Sequence, residues 1–167
     1  MARIKAQRAF LILLGLFLAI LPGAAAPGGE LEKNKAVARR LFEEALCQGK
    51  WDVFQEIHTQ DFVAHAGKRT ASLAEDLDAA KGWQQAFPDG QCRVDQIVAE
   101  GDLVTVRWTG RGTNTGAGNG LPATGKPAEI YGITIFRVKD GKLAEEWGLI
   151  DTWGLMKQLG LASAPKQ

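Results

Sequence analysis

The sequence predicts one domain of the α+β class, with helices in the first half of the chain and strands in the second half. Apolar residues of the first half recur every three or four positions, as on helices, and the second half reads as strands joined by short turns. A curved sheet wrapped on a helix layer would enclose an apolar pocket. The 167 residues, 46% of them apolar and five of them tryptophan, are sufficient for one packed core.

The first 26 residues are typical of a secretory signal. Three basic residues precede an apolar run over residues 9–21, Pro22-Gly23 ends that run, and three alanines follow. The apolar run is shorter than the roughly 20 residues that span a bilayer. We therefore predict export to the periplasm or the medium, with cleavage after Ala25 and no membrane attachment afterwards. The alternative is an uncleaved anchor.

The predicted organisation has four parts. They are a signal peptide (residues 1–25), a flexible linker (26–30), a folded domain (31–160) and a C-terminal tail (161–167). The full chain carries 20 Lys and Arg against 19 Asp and Glu. Removal of the signal takes away three basic and no acidic residues, which leaves 17 against 19 and a net charge of −2. No basic surface remains, so nucleic acid is excluded as a partner.

The first predicted helix runs over residues 31–49, because Val37, Leu41 and Ala45 recur every four residues on one face. A glycine ends this helix, and a short second helix is predicted over residues 51–57, where apolar residues stand three apart. Both helices would turn their apolar face to the core.

A third helix is predicted over residues 72–87. Ser72 and Glu75 have the spacing of a capping box, and a Pro-Asp-Gly sequence stops the helix. Between the second and third helices, residues 61–65 read as a short extended piece, whereas His58 stands in a polar run and is expected to face solvent.

Four strands are predicted in the second half, over residues 92–99, 102–113, 128–138 and 142–150. The turns of the first pair and of the last pair are short, as hairpins require. The middle two strands are separated by residues 114–127, which are rich in Gly and Pro. We interpret this segment as a long hairpin loop and a candidate lid.

The last strand ends in a carboxylate. Side chains alternate between the faces of a strand, so Leu143, Glu145, Trp147, Leu149 and Asp151 are expected to share one face. A carboxylate beside these apolar groups would lose water, which raises its pKa towards the range of a general acid or base. The alternative is that Asp151 caps the helix that follows, and one Asp can do both.

The two cysteines leave two alternatives open. In an oxidising compartment Cys47 and Cys92 could pair, but the sequence does not show that they approach each other. Otherwise each is a small buried apolar residue.

Five motifs in sequence order carry a resemblance to a known family: NKAVARRLFEEALCQGKWDVFQEI, DFVAH, AFPD, VAEGDLVTVRWTGRGTNTG and GLPATGKPAEIYGITIFRVKDGKLAEEWGLIDTWGLMKQLG. Over residues 34–160 the chain resembles the SnoaL-like polyketide cyclases and ester cyclases of the nuclear transport factor 2-like superfamily. The resemblance implies a cone-shaped α+β barrel, with a curved mixed or antiparallel sheet wrapped on the N-terminal helices around a pocket. It also implies a homodimer formed through the outer face of the sheet, and no metal or organic cofactor.

The resemblance also implies which residues form the site. In the cyclases an Asp on the last strand is the general acid/base of an intramolecular aldol closure, and by motif this Asp is Asp151. His65 matches a histidine that is expected to face the pocket, and its ordinary pKa suits proton handling. Asn114 and Tyr131 are candidate hydrogen-bond partners of the substrate. Trp83, Phe87, Trp108 and Trp147 would shape the pocket and contact the substrate, and the alternative for each of them is a place in the core. The chain departs from many relatives at Asn114 and Glu146, where they carry His.

The predicted function is therefore cofactor-independent acid/base chemistry on a small carbonyl compound, as an aldol-type cyclisation or a related proton transfer. Two alternatives remain at this point. One is an exported binding protein for an apolar or aromatic small molecule, and the other is an isomerase or dehydratase of the same superfamily.

Overall fold

The computed structural model describes residues 27–162, and the side chains of residues 28–162. The predicted signal peptide over residues 1–25 and the last five residues of the predicted tail lie outside this range. None of the helices in the described part of the chain is long and apolar enough to cross a membrane.

Four α-helices and one π-helical segment form the helical part. Helix α1 spans Pro27–Arg40 and continues into a π-helical segment, Leu41–Leu46, and α2, α3 and α4 span Trp51–Ile57, Leu73–Ala86 and Thr152–Leu159. Residues 27–30 of the predicted linker belong to α1, where Glu30 in the first turn is favourable for the helix dipole. The predicted helices are confirmed. The π-helical turn was not predicted, and turns of this kind are frequent at functional sites.

Helix α3 starts with the predicted capping box. The Ser72 backbone N–H donates to Glu75 Oε2 over 2.7 Å, and the Glu75 N–H donates to Ser72 Oγ over 3.5 Å. These bonds satisfy backbone groups that the first turn leaves without partners. They fix the start of α3, the helix that carries one wall of the cavity described below.

One six-stranded mixed sheet forms the other layer. Its strands are His58–Ala66 (β1), Arg69–Ser72 (β2), Gln91–Glu100 (β3), Leu103–Thr113 (β4), Pro127–Lys139 (β5) and Lys142–Ile150 (β6). Their order is β2-β1-β6-β5-β4-β3, with β1 and β6 parallel and all other neighbours antiparallel. The mixed sheet and the α+β class are confirmed, and the sheet is curved but not closed into a barrel. Strand β2 was not predicted, because its residues show no apolar alternation.

The core lies between the concave face of the sheet and the helices α1 and α2 with the π-helical segment. Phe42, Phe54 and Phe136 are buried at its centre, and valines of β4 pack against them. The rings of Phe42 and Phe136 stand edge to face, with their centroids 6.2 Å apart. A cavity lies beside this core, under α3.

A β-bulge at Ala144 decides which side chains of β6 face this core. On β5 the partners of Leu143 and Glu145 are the consecutive residues Val138 and Arg137, so Ala144 has no opposite residue. One extra residue inverts the alternation of side chains beyond it. The prediction that Leu143 shares a face with Glu145 and the residues after it is therefore wrong. Leu143 faces the core together with Glu146.

The two cysteines form a disulfide between the helical layer and the sheet. Cys47 follows the π-helical segment and Cys92 lies on the edge strand β3, with their Cα atoms 5.6 Å apart. The alternative left open by the sequence is thus resolved in favour of pairing. Because 45 residues separate the two cysteines, the bond closes a loop that contains α2, β1, β2 and α3.

Candidate active site

A cavity of about 290 Å³ lies between α3, the π-helical segment and the concave face of the sheet. Its walls come from α3 on one side and from the inward-facing residues of β4, β5 and β6 on the other. The Cys47–Cys92 disulfide also lines the cavity. Exposed residues at its rim, among them Pro88, Gly90 and Gln91, leave one side open to solvent.

Several aromatic side chains line the wall, among them Trp83, Phe87 and Trp108, as the sequence predicted. Trp83 and Phe87 stack one turn apart on α3, with ring centroids 6.3 Å apart. The Trp108 indole N–H donates to Thr134 Oγ1 over 3.1 Å, and its ring lies over Gly132, where a Cβ atom would clash with it. The hydrogen bond and the contact with Gly132 thus fix the position of the indole in the wall.

Two carboxyl groups point into this apolar cavity. Asp76 lies in the first turn of α3, and Glu146 lies on β6 opposite Phe136. Burial raises the pKa of Asp76 to about 6. Burial also raises the pKa of Glu146 to about 8, and the negative charge of Asp76 adds to this shift. At pH 7 the pair therefore holds one proton, mainly on Glu146, and one negative charge, mainly on Asp76.

Neither carboxyl group makes a hydrogen bond or an ion pair with another described residue. Among the described residues that line the cavity, Arg111 is the one basic residue, and it belongs to the rim, where its Nε donates to Glu129. The charge in the cavity is therefore left for a ligand or for water to satisfy, which is the environment in which functional carboxyls are found.

Asp151 lies beyond the end of β6 and is exposed. Its Oδ1 accepts a hydrogen bond of 2.8 Å from the Gly154 N–H, which makes it the N-cap of α4. The capping alternative is thus confirmed. Ile150 and Leu155 on either side line the cavity, but the carboxylate itself is not part of the lining. The role of Asp151 in acid/base chemistry stays a prediction. The structure places its carboxylate outside the lining of the cavity.

Three further predicted site residues lie on the outer face of the sheet. The bulge at Ala144 turns Trp147 outward, His65 pairs with Trp147 and shares its face, and Tyr131 alternates on β5 with the buried Gly132. His65 Nε2 lies 2.9 Å from Glu145 Oε1, and the imidazole stacks on Trp147 with ring centroids 5.1 Å apart. Tyr131 is 46% exposed, and its hydroxyl donates to Glu129. The expectation that Trp147 and Tyr131 shape the pocket, and that His65 faces it, is therefore corrected.

Asn114 is fully buried and acts as the anchor of the loop over residues 114–127. Its Nδ2 donates to Ala86 O over 3.1 Å and to Gly116 O over 2.9 Å, while its Oδ1 accepts from the N–H and the hydroxyl of Thr124. All four hydrogen-bonding positions of the amide are thus in use. The predicted substrate contact is corrected to an internal one, and the loop is bound to the end of α3.

His58 is also placed differently from the expectation, since it is fully buried rather than solvent-facing. It stacks against Phe54 and Phe62, and its Nδ1 lies 2.6 Å from Phe54 O. Burial lowers the pKa of His58 to about 4, so the ring is neutral at pH 7. It is a core residue and does not contact the cavity.

The family model of the SnoaL-like polyketide cyclases matches residues 36–159, which is most of the chain. The chain belongs to the SnoaL-like polyketide cyclase family. No curated protein sequence is significantly similar to this member of the family.

Solved structures agree with the SnoaL-like assignment. IdmH of Streptomyces antibioticus, described as a candidate polyketide cyclase, is 31% identical over 76% of this chain and 98% of its own, with a TM-score of 0.67. AclR of Streptomyces galilaeus, described as a candidate hydroxylase, is 26% identical over 82% of this chain and 91% of its own, with a TM-score of 0.73. A candidate polyketide cyclase of Bacillus cereus is 27% identical over 78% of this chain and 83% of its own, with a TM-score of 0.67.

Two residues of this SnoaL-like site, Asp76 and Glu146, were not predicted as functional. A signal for Asp76 exists, because it stands three or four positions from Leu73, Ala79 and Ala80 and so falls on the apolar stripe of α3. Glu146 was identified only as a departure from relatives. The bulge before it inverts the alternation of side chains, so the sequence did not show that Glu146 faces the cavity. Within residues 27–162, no group of three or more His, Cys, Asp or Glu could hold a metal ion.

Proposed function

We propose that this SnoaL-like protein catalyses proton transfer on a small carbonyl compound, with Asp76 as general base and Glu146 as general acid. One observation carries the proposal: two unpartnered carboxyl groups share an apolar cavity, and burial separates their pKa values around pH 7. A pair of this kind offers a proton acceptor and a proton donor at the same time. An aldol-type cyclisation uses both.

In such a cyclisation the Asp76 carboxylate removes a proton from the carbon next to one carbonyl. The resulting enolate carbon attacks a second carbonyl carbon of the same molecule, which forms a C–C bond and breaks the C=O π bond. The Glu146 carboxyl donates its proton to the developing alkoxide. Asp76 has then gained one proton and Glu146 has lost one, and proton exchange between them or through water restores the starting state. The net reaction is an isomerisation.

The aromatic wall supports a substrate with a flat apolar part. Trp83 and Phe87 offer stacked ring faces on α3, and Trp108 offers an indole on β4, in a cavity that holds a compound of a few fused or linked rings at most. The absence of a basic group inside this cavity, among its described lining residues, favours a substrate that is uncharged at the reacting end.

The experiment follows the α-protons of a 1,3-diketone with a phenyl substituent in D₂O by proton NMR, which detects general base chemistry before the natural substrate is known. The wild type should accelerate exchange for deuterium, and Asp76→Asn should reduce the acceleration by about 100-fold or more. Glu146→Gln should reduce it as well, because the carbonyl loses its proton donor.

Two matched controls separate the cavity from its surroundings. Glu145→Gln changes the neighbouring acid on the outer face, and Asp151→Asn changes the acid predicted from the sequence. Both should exchange at the wild-type rate. If Asp151→Asn abolished exchange while Asp76→Asn did not, the assignment to the cavity pair would be refuted and the earlier prediction for Asp151 would replace it.

We also propose a homodimer formed through the outer face of the sheet. Val98, Ile133, Ile135 and Leu149 are exposed there, Leu149 to 78%, and contiguous exposed apolar patches of this kind favour association. Sedimentation equilibrium should give twice the monomer mass, and Ile133→Lys should shift it towards the monomer. A monomeric wild type at micromolar concentration would contradict this assembly.

Export remains a proposal as well. It rests on the N-terminal segment predicted as a signal peptide and agrees with a disulfide in the folded domain. Mass spectrometry of the protein secreted by a bacterial host should show loss of residues 1–25, and an intact N-terminus in the membrane fraction would favour the uncleaved anchor.

A further inference from the structure

The electrostatics of the cavity are one-sided. The acids Asp76 on α3 and Glu146 on β6 face it. Arg111 on β4 is the one basic residue of the lining within residues 27–162, and it lies at the rim, paired with Glu129. The π-helical segment, β3 and β5 contribute only apolar groups, uncharged polar groups and the disulfide cysteines to the lining. A ligand inside the cavity therefore meets negative charge and no compensating positive charge.

The two carboxyl groups also lack hydrogen-bond partners among the described residues, so their desolvation is not offset from within the protein. A cation between them would offset it, because an opposite charge within a few ångströms stabilises the ionised form of a carboxyl group. An anion of the same shape would meet repulsion in an apolar environment, where charge interactions are stronger than in water.

The aromatic wall is the second observation. The Trp83 and Trp108 indoles and the Phe42 and Phe87 rings line the same cavity as the two acids. Aromatic faces attract cations, tryptophan the most strongly, and aromatic surroundings recognise quaternary ammonium groups in particular. Acidic and aromatic groups thus favour the same kind of ligand.

We propose that the cavity binds hydrophobic organic cations, with the charged nitrogen at Asp76 and Glu146 and the hydrocarbon part against the indoles. The inference rests on the proposed function in one respect, the assignment of this cavity as the ligand site, and it adds a ligand class to it. Such a cation converts Glu146 to the carboxylate and so removes the proton donor of the proposed reaction. Hydrophobic ammonium compounds are therefore ligands that compete with the carbonyl substrate.

Binding has a proton signature. At pH 7 the pair holds about one proton, and a cation that favours both carboxylates releases it to the buffer. Well above pH 8 the pair holds no proton, so binding of the same cation should release none and should be tighter than at pH 7.

The experiment uses three probes of similar shape: benzyltrimethylammonium, the uncharged neopentylbenzene and the anionic phenylmethanesulfonate. Because a quaternary ammonium has no proton to lose, every released proton comes from the protein. Tryptophan fluorescence gives the three affinities, and calorimetry in two buffers of different ionisation enthalpy gives the number of protons released.

We expect the cation to bind at least about tenfold more tightly than the uncharged probe, and the anion to be the weakest ligand. About one proton should be released at pH 7 and none at pH 9.5. The double variant Asp76→Asn/Glu146→Gln should bind the cation and the uncharged probe about equally. Glu145→Gln, which changes an acid of the outer face, should behave as the wild type does.

Equal affinity of the wild type for the cation and the uncharged probe would overturn the inference, and so would cation binding at pH 7 without proton release. Both readouts use the wild type, so they decide even if the double variant fails to fold. α-Proton exchange without a preference for the cation would overturn this inference alone. A preference for the cation without exchange would overturn the proposed reaction alone.

Discussion

The cavity carboxyl Glu146 should destabilise the fold as pH rises, and Glu146→Gln should remove this penalty. A carboxyl group whose folded pKa is above its unfolded pKa is protonated in both states below the unfolded value, and it increasingly opposes folding as pH rises from the unfolded value to the folded value. For Glu146 the values are about 8 in the folded protein and 4.5 for the reference group. The penalty therefore begins near pH 4.5, grows with pH and levels off near pH 8.

The magnitude follows from about 1.4 kcal/mol per pKa unit. The penalty is below about 1 kcal/mol at pH 5, about 3 kcal/mol at pH 7 and about 5 kcal/mol at pH 9. The buried amide of the variant adds a constant that does not depend on pH. The free energy of unfolding of Glu146→Gln minus that of the wild type should thus increase by about 4 kcal/mol from pH 5 to pH 9.

Urea denaturation followed by tryptophan fluorescence measures this difference at pH 5, 7 and 9. The matched control is Glu145→Gln. The hydrogen bond from His65 lowers the pKa of Glu145, and partial burial of its side chain opposes this shift, so the pKa of Glu145 moves in the opposite direction to that of Glu146. This control should lose stability relative to the wild type at neutral pH. A pH-independent difference for Glu146→Gln would refute the reasoning, since Glu146 would then titrate alike in the folded and unfolded chains.

Three other predictions concern stability. Replacement of both Cys47 and Cys92 by Ser should lower the free energy of unfolding by about 4 kcal/mol, the chain entropy of a loop of this length, and urea curves with and without reductant would test it. Because His58 is neutral in the core, the protein should lose about 3 kcal/mol of its free energy of unfolding as pH falls from 6.5 through 4. His58→Asn should remove this pH dependence, and an unchanged pH dependence would contradict the assignment of His58 as a buried neutral residue. Asn114→Ala should lower the free energy of unfolding by about 2–4 kcal/mol, because its hydrogen bonds are lost, and should increase amide hydrogen exchange in the loop over residues 114–127. Unaltered exchange would show that contacts other than those of Asn114 order the loop.

Local sequence signals were sufficient for most of the fold. The capping box of Ser72 and Glu75 gave the start of α3 to the residue, because both partners of the bond are close in sequence. The four long strands were found from their alternation and their short turns. Strand β2 was missed because it is an exposed edge strand, whose pairing with β1 is set by tertiary contacts rather than by its own residues.

The site was predicted only in part, for a physical reason that applies to β6. Aromatic residues on α3 could be assigned to the cavity because the helical period holds without interruption from residue 73 to residue 86. On β6, strand parity led to Glu145 and Trp147, because nothing in the residue type of Ala144 indicates a bulge. Asn114 was misassigned for another reason: an amide suits a substrate and a backbone equally well, and only the folded chain shows which one it meets.

The bulge at Ala144 gives single-residue deletions an unusual effect in this protein. Ala144 is the residue without a partner on β5, so its loss would leave Leu143 opposite Val138 and Glu145 opposite Arg137, and the pairing between them would become regular. Glu146 would still face the cavity, and Glu145 would still face outward. A three-nucleotide deletion at this codon therefore leaves the chemical lining of the cavity unchanged, whereas a one-residue shift in a regular strand moves every later side chain to the opposite face. The β5–β6 hairpin thus contains one position at which the length of the chain varies without a change in ligand specificity.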